Sequence, residues 1–261
     1  PALPDVDDLS AALTDAAGEV AGISRMDEDD TDRQRAALHE AEERIARTRP
    51  LADLYTAYLM SPGIAADEYR QLFEALSSGE EVSSSFNLGL PQTYQKVGKL
   101  AERHDYFHWP LEFPDVFGSD GVEGFNATIG NPPWGVLQPS VVEFFSPYDV
   151  SIKTLKDEEL DTRVSEILTS DRPIQRKWNE HKAHIAREAS YCKELSVYPS
   201  FQEGKSDLYR VFAEQLFYLV SDGGRIGVVV HSGFYTDKWA AAVRALYLDK
   251  TALQTFFAFE N

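Results

Sequence analysis

The chain has 261 residues, a length that suits one large or two small globular domains. Because 43% of the residues are hydrophobic and 12% are aromatic, the composition excludes wholesale disorder. Its formal net charge of −18 argues against a protein that binds nucleic acid through its overall charge, because phosphate binding depends on Lys and Arg. The single cysteine, Cys192, excludes an internal disulfide and favours the reducing cytoplasm, and no apolar run reaches the roughly 18 residues that a membrane span needs.

The first 104 residues are predicted to form a helical region. Residues 32–49 are rich in Ala, Glu, Arg, Leu and Gln, all of which favour helices. Pro50 is expected to break or restart this helix before a second helical segment over 51–59. Further helices are predicted over 66–76 and 92–103.

From residue 105 to residue 261 the pattern is that of a mixed α/β domain. The predicted elements alternate: strand 125–130, helix 207–220, strand 225–231, helix 239–248 and strand 253–259. The run from 225 to 231 is nearly continuous in apolar β-branched residues, as expected for a strand buried on both faces of a parallel sheet. This alternation predicts an α/β fold with a doubly wound sheet.

A short polar motif, Asn131-Pro132-Pro133-Trp134, directly follows the first predicted strand. Residues just past the carboxyl end of a strand line the ligand crevice of an open α/β sheet. The Asn131 side-chain oxygen and the Pro132 carbonyl can accept hydrogen bonds from the two N–H groups of an exocyclic amino group. The two prolines restrict the backbone that carries these acceptors. Trp134 offers a flat face on which a flipped base can stack. The alternative is an ordinary turn, since Asn-Pro-Pro favours turns anywhere.

The segment GFNATIGNPPWG, residues 124–135, resembles the catalytic motif of gamma-class N6-adenine DNA methyltransferases. Three further blocks in the same order are similar to that family: FHWPLEFPDVF at 107–117, GKSDLYRVF at 204–212 and GGRIGVVVHSG at 223–233. The large members that carry such blocks serve type IIG restriction–modification and phage-exclusion systems such as BREX and DISARM.

The resemblance implies a partial class I, Rossmann-like methyltransferase sheet preceded by the helical region. It also implies methyl transfer from S-adenosylmethionine to adenine N6 in double-stranded DNA, with the base flipped out. Asn131 and Pro132 would orient the amino group, and Trp134 would stack on the base. Asn131 and Pro133 would touch the cofactor.

Three residues of the downstream blocks are further candidates for contact with the target nucleotide. Lys205 and Tyr209 lie in the second similar block, although the same residues also suit the start of a helix. His231 ends the long predicted strand and is therefore expected to face the crevice.

Two parts of the family pattern are missing. The chain has no Gly-x-Gly cofactor loop, which is expected upstream of residue 1, and the target-recognition region is expected downstream of residue 261. On its own the chain is therefore expected to be an inactive catalytic half. In the intact protein it is expected to act on double-stranded DNA, with other restriction or phage-defence subunits as further expected partners. Two alternatives stay open: a non-catalytic DNA-binding or assembly module, and an N4-cytosine methyltransferase.

The charged residues are unevenly distributed. Residues 1–120 carry 24 acidic and 10 basic side chains, whereas residues 151–210 carry 11 of each. The second segment is either a solvated surface of mixed sign or a region that contacts the DNA backbone. Within it, His181 and His184 have helical spacing but lack a third ligand, so no metal site is predicted.

Overall fold

The computed structural model describes residues 6–23, 31–61, 63–78, 90–117, 124–194 and 197–259. It is a mixed α/β structure that is mostly helical and contains a small two-stranded parallel sheet. In chain order the elements are α1 (Val6–Ile23), α2 (Thr31–Met60), α3 (Ala66–Ser77), α4 (Leu90–His104), α5 (Trp109–Glu112), α6 (Pro114–Phe117), β1 (Phe125–Gly130), α7 (Val141–Phe145), a 3₁₀ helix (Val150–Lys153), α8 (Asp157–Ser170), α9 (Arg172–Cys192), a 3₁₀ helix (Pro199–Phe201), α10 (Leu208–Tyr218), β2 (Val220–Val228), α11 (Gly233–Thr236), a 3₁₀ helix (Lys238–Ala240) and α12 (Ala241–Lys250).

The chain forms two compact units, of which the first contains residues 1–130 and 216–228. Its core lies among the N-terminal helices, as the Ala- and Leu-rich composition predicts. Apolar side chains from α1 to α4 are buried there: Leu9, Leu51, Leu54, Ala57, Tyr69, Leu72, Phe73, Leu90 and Val97.

Helix α2 continues through Pro50, where the sequence analysis expected a break. Proline removes one intrahelical hydrogen bond and costs about 3 kcal/mol in a helix interior. The residues that follow it, Leu51, Ala52 and Leu54, are all buried in the core. The predicted break was wrong because tertiary packing of this face outweighs the local cost of proline.

Two polar contacts fix the aromatic segment around α5 to α2. His108 Nε2 lies 2.8 Å from Asp53 Oδ1, and the Arg49 guanidinium donates to Glu112 Oε1 at 2.9 Å. The aromatic rings of α5, α6 and the residue between them, Trp109, Phe113 and Phe117, then surround Phe125 at the first position of β1. The segment therefore connects the helical region to the sheet.

Strands β1 and β2 pair in parallel, with Ala127 opposite Arg225 and Gly130 opposite Val228. The register shifts near the start of the pair, where Gly223 adopts a left-handed conformation (φ +77°) that favours glycine. The predicted strand over 225–231 is confirmed for 225–228. It ends at Val228, which pairs with Gly130, the last residue of β1.

The prediction that the strand over 225–231 is buried on both faces was wrong: Arg225 and Gly227 are exposed, and Val229 is 51% exposed. Strand β1 is buried on one face only. On one face the Thr128 hydroxyl donates to the Leu216 carbonyl at 3.3 Å, and Thr128 is buried. On the other face Ile129 is 90% exposed. The third predicted strand, over 253–259, was wrong: this segment has no regular structure, and Phe257 is 75% exposed.

The second unit contains residues 131–215 and 229–261. Helices α7, α8 and α9 pack around Phe145, Ile152, Ile167 and Trp178. Asp171 caps α9, since its carboxylate accepts from the Ile174 N–H at 3.0 Å. A separate set of helical segments packs around Phe201 and Val211. Among the helices that the structure describes, none has both the length and the apolar composition needed to cross a bilayer.

Candidate functional site

The tetrapeptide 131–134 begins at the first residue after β1 and is largely open to solvent. Asn131 and Pro133 are exposed, Trp134 is 52% exposed, and only Pro132 is buried. The motif is thus not part of a closed core. Its indole and its side-chain amide are accessible to a ligand.

A short backbone pairing joins the residues after Trp134 to the residues before α10. Val136 and Asp207 form an antiparallel bridge. The Leu137 N–H donates to the Ser206 carbonyl at 2.7 Å, and the Leu208 N–H donates to the Gly135 carbonyl at 2.9 Å. Within the second unit, the end of the block 124–135 is therefore hydrogen-bonded to the block 204–212 through Gly135 and Leu208.

Three of the candidate side chains form a ring cluster. The Trp134 and His231 rings lie 6.0 Å apart at 76°, an edge-to-face contact. The Tyr209 and His231 rings lie 6.2 Å apart and are tilted by 35°. We call Trp134, Tyr209 and His231 the ring cluster.

The imidazole of His231 is fixed by the turn that follows it. The Gly233 N–H donates to His231 Nδ1 at 3.0 Å. Because Nδ1 is the acceptor, the proton of the neutral imidazole lies on Nε2, which remains available as a donor. Gly233 itself was not singled out from the sequence.

Tyr209 lies at the base of the ring cluster and is only 3% exposed. Burial raises the pKa of its phenol, and the nearby carboxylates of Asp207 and Asp237 raise it further. The hydroxyl therefore stays protonated at neutral pH, and it can act as a hydrogen-bond partner rather than as a general base.

At Lys205, the structure describes contacts of the backbone. The side chain of Lys205 is exposed, and the backbone carbonyl accepts a hydrogen bond from the Arg210 guanidinium. The preceding residue, Gly204, has φ +84°, and a Cβ placed there would lie 2.4 Å from Trp239 Cγ. The structure thus fixes the backbone at Lys205. The ring contacts of the cluster join Trp134, Tyr209 and His231.

Arg210 is a structural residue that sequence reasoning missed. Its Nη1 donates to the carbonyls of Glu203 and Lys205, each at 3.0 Å, and its Nη2 donates to the carbonyl of Ser200 at 3.4 Å. The guanidinium also lies 4.7 Å from the centre of the Phe201 ring. Burial lowers its pKa, although Arg still carries its charge at neutral pH. Arg210 therefore holds the whole segment 200–205.

The two histidines of α9 serve other contacts. His181 packs against Phe144 and Trp178, and His184 Nε2 lies 3.2 Å from Glu188 Oε1. Within the described residues, no three His, Cys, Asp or Glu side chains are grouped as a metal site would require.

S-adenosylmethionine fits the described residues only in part. Asn131 and Pro133 are exposed directly after β1, so they are accessible to a cofactor. The described sheet has only two strands, and neither is followed by a Gly-x-Gly loop. The described residues therefore do not form a complete binding site for this cofactor.

The comparisons with known proteins add no assignment to this geometry. No protein-family model, no curated protein and no solved structure matches the chain.

Proposed function

We propose that this chain carries the Asn-Pro-Pro-Trp catalytic motif of an S-adenosylmethionine-dependent DNA methyltransferase that modifies adenine N6, built on a partial class I, Rossmann-like sheet. The observation that carries the proposal is the ring cluster. Trp134, Tyr209 and His231 come from the three sequence blocks at 124–135, 204–212 and 223–233 that resemble the gamma class. An exposed indole that follows a parallel strand supports stacking of a flipped base.

The chemistry of the accepting amino group explains the residues before Trp134. An adenine amino group is a poor nucleophile because its lone pair is delocalised into the ring. The Asn131 side-chain oxygen and the Pro132 carbonyl accept hydrogen bonds from the two N–H groups of the adenine amino group. These hydrogen bonds favour a pyramidal nitrogen with an available lone pair. S-adenosylmethionine supplies the methyl group in this reaction. Pro132 and Pro133 restrict the backbone, so the acceptors are held in place before the base arrives.

The reaction is tested by nucleoside analysis of DNA. The complete reading frame that encodes this chain is expressed in a host that lacks DNA methylation, and the digested DNA is analysed by mass spectrometry. We expect N6-methyladenine, and we expect Asn131→Ala to lower it at least about 100-fold, the loss typical of a key polar group. Asn126→Ala, an exposed asparagine in the neighbouring strand β1, is the matched control and should retain the product.

Two other outcomes would contradict the proposal. N4-methylcytosine would identify a cytosine methyltransferase, which uses similar acceptors on another exocyclic amine. DNA binding with no methylated nucleoside would identify a non-catalytic binding or assembly module.

A further inference from the structure

We propose that His231 is a positioning residue that braces the Trp134 indole, so that a flipped base meets a preset stacking surface. The inference rests on the proposed function and adds to it the residues that fix the stacking surface. It depends on contacts within the second unit only.

The contact between Trp134 and His231 is of a kind that fixes ring orientation. The two rings meet edge to face, at 76° and 6.0 Å between centroids. Such aromatic pairs stabilise a preferred ring orientation beyond the effect of the area that they bury. Because Trp134 is 52% exposed, the brace leaves a large part of the indole open.

The imidazole that makes this contact is itself held at two points. The Gly233 N–H donates to Nδ1 at 3.0 Å, which restrains rotation of the ring. The Tyr209 ring lies 6.2 Å away, and Tyr209 is almost completely buried. The buried Tyr209 ring and the Gly233 N–H thus restrain the exposed His231 imidazole, and the imidazole in turn restrains the Trp134 indole.

A side chain at Gly233 would crowd both Tyr209 and His231. A Cβ at this residue would lie 3.0 Å from the Tyr209 hydroxyl oxygen and 3.2 Å from His231 Nδ1. Gly233 is not among the glycines with positive φ, so the backbone accepts alanine. Gly233→Ala therefore disturbs the brace while it leaves all three rings in the chain.

The test combines labelling of the indoles with a base probe. The chain is produced with 5-fluorotryptophan, and the ¹⁹F resonance of Trp134 is assigned by its loss in Trp134→Phe. Adenosine is the probe, and its dissociation constant is read from the shift of that resonance. Gly98→Ala is the control, because its Cβ would have no neighbour within 4 Å and the residue lies outside the motif.

We expect His231→Ala and Gly233→Ala to shift the Trp134 resonance without ligand and to weaken adenosine binding about fivefold, the size of one edge-to-face contact. His231→Phe, which keeps a ring at the brace, should restore binding to within about twofold of wild type. Gly98→Ala should behave as wild type.

Two results would overturn the inference, and they differ in what they leave standing. If Trp134→Ala abolishes adenosine binding while His231→Ala and Gly233→Ala bind as wild type, the stacking site stands and the brace is wrong. If adenosine leaves the Trp134 resonance of the wild-type chain unmoved, the stacking site and the brace both fall.

Discussion

The loop before Lys205 depends on a single glycine. Gly204 combines a left-handed φ of +84° with close packing against the Trp239 ring. We predict that Gly204→Ala lowers the free energy of unfolding by more than about 1 kcal/mol, since both the backbone and the indole oppose a Cβ. Gly98→Ala, in the interior of α4 with open space around it, should raise it by about 0.5–1 kcal/mol. Urea denaturation of both variants measures the difference, and equal effects would contradict this packing.

The thiol of Cys192 is predicted to be inert in the folded chain. Burial, with a smaller contribution from Glu188, raises its pKa to about 11. At pH 8 the thiol is therefore protonated and shielded, and the thiolate is the reactive species. Mass spectrometry should show no alkylation by iodoacetamide in buffer and full alkylation in guanidinium chloride. Rapid alkylation of the native chain would show that Cys192 is accessible.

Single residues differed in how far the sequence could predict them. Trp134, Tyr209 and His231 could be singled out because each lies in a recognisable block, and the structure brings their rings together. Lys205 was chosen by the same reasoning, and its contact with the target nucleotide stays a prediction, because membership of a block does not fix the direction of a long exposed side chain. Gly233 could not be found, because its importance comes from its distance to the Tyr209 hydroxyl.

At the scale of elements, the segment 200–205 depends on α10 through Arg210. We predict that Arg210→Met, which removes three hydrogen bonds from a charged donor, lowers the free energy of unfolding by about 3 kcal/mol. Trypsin should also cleave after Lys205 faster in this variant, because the segment is released from the helix. Arg172→Met, at an exposed position of α9, is the control. Unchanged cleavage at Lys205 would show that Arg210 does not hold the segment.

Element types could be predicted better than element ends. Apolar spacing and composition indicated α2, α3, α4 and α10, and β-branched content indicated β2. The ends depend on partners that a local pattern does not contain. Strand β2 stops at Val228, opposite the last residue of β1, and the apolar segment 253–259 forms no strand although its composition favours one.

At the scale of the whole molecule, the net charge of −18 hides a local balance of charge. The first 120 residues hold most of the acidic excess, whereas α9 presents exposed cations that include Arg176. We predict that Arg176→Glu weakens binding to duplex DNA and reduces the slope of log K against log salt by about 1. Lys99→Glu, an exposed lysine on α4, should have little effect. Fluorescence anisotropy over a salt series measures both, and identical slopes would remove α9 from the DNA-binding surface.

The most direct test of the account compares two DNA duplexes that differ only in the pairing of one adenine. A base that is already unpaired costs less to extrude, so a protein that stacks a flipped adenine binds it more tightly. We predict that the chain binds a duplex with an unpaired adenine at least about tenfold more tightly than the fully paired duplex, a difference of about 1.4 kcal/mol. Trp134→Ala should erase this preference. Equal affinity for the two duplexes, or a preference that survives Trp134→Ala, would contradict the claim that Trp134 receives the base.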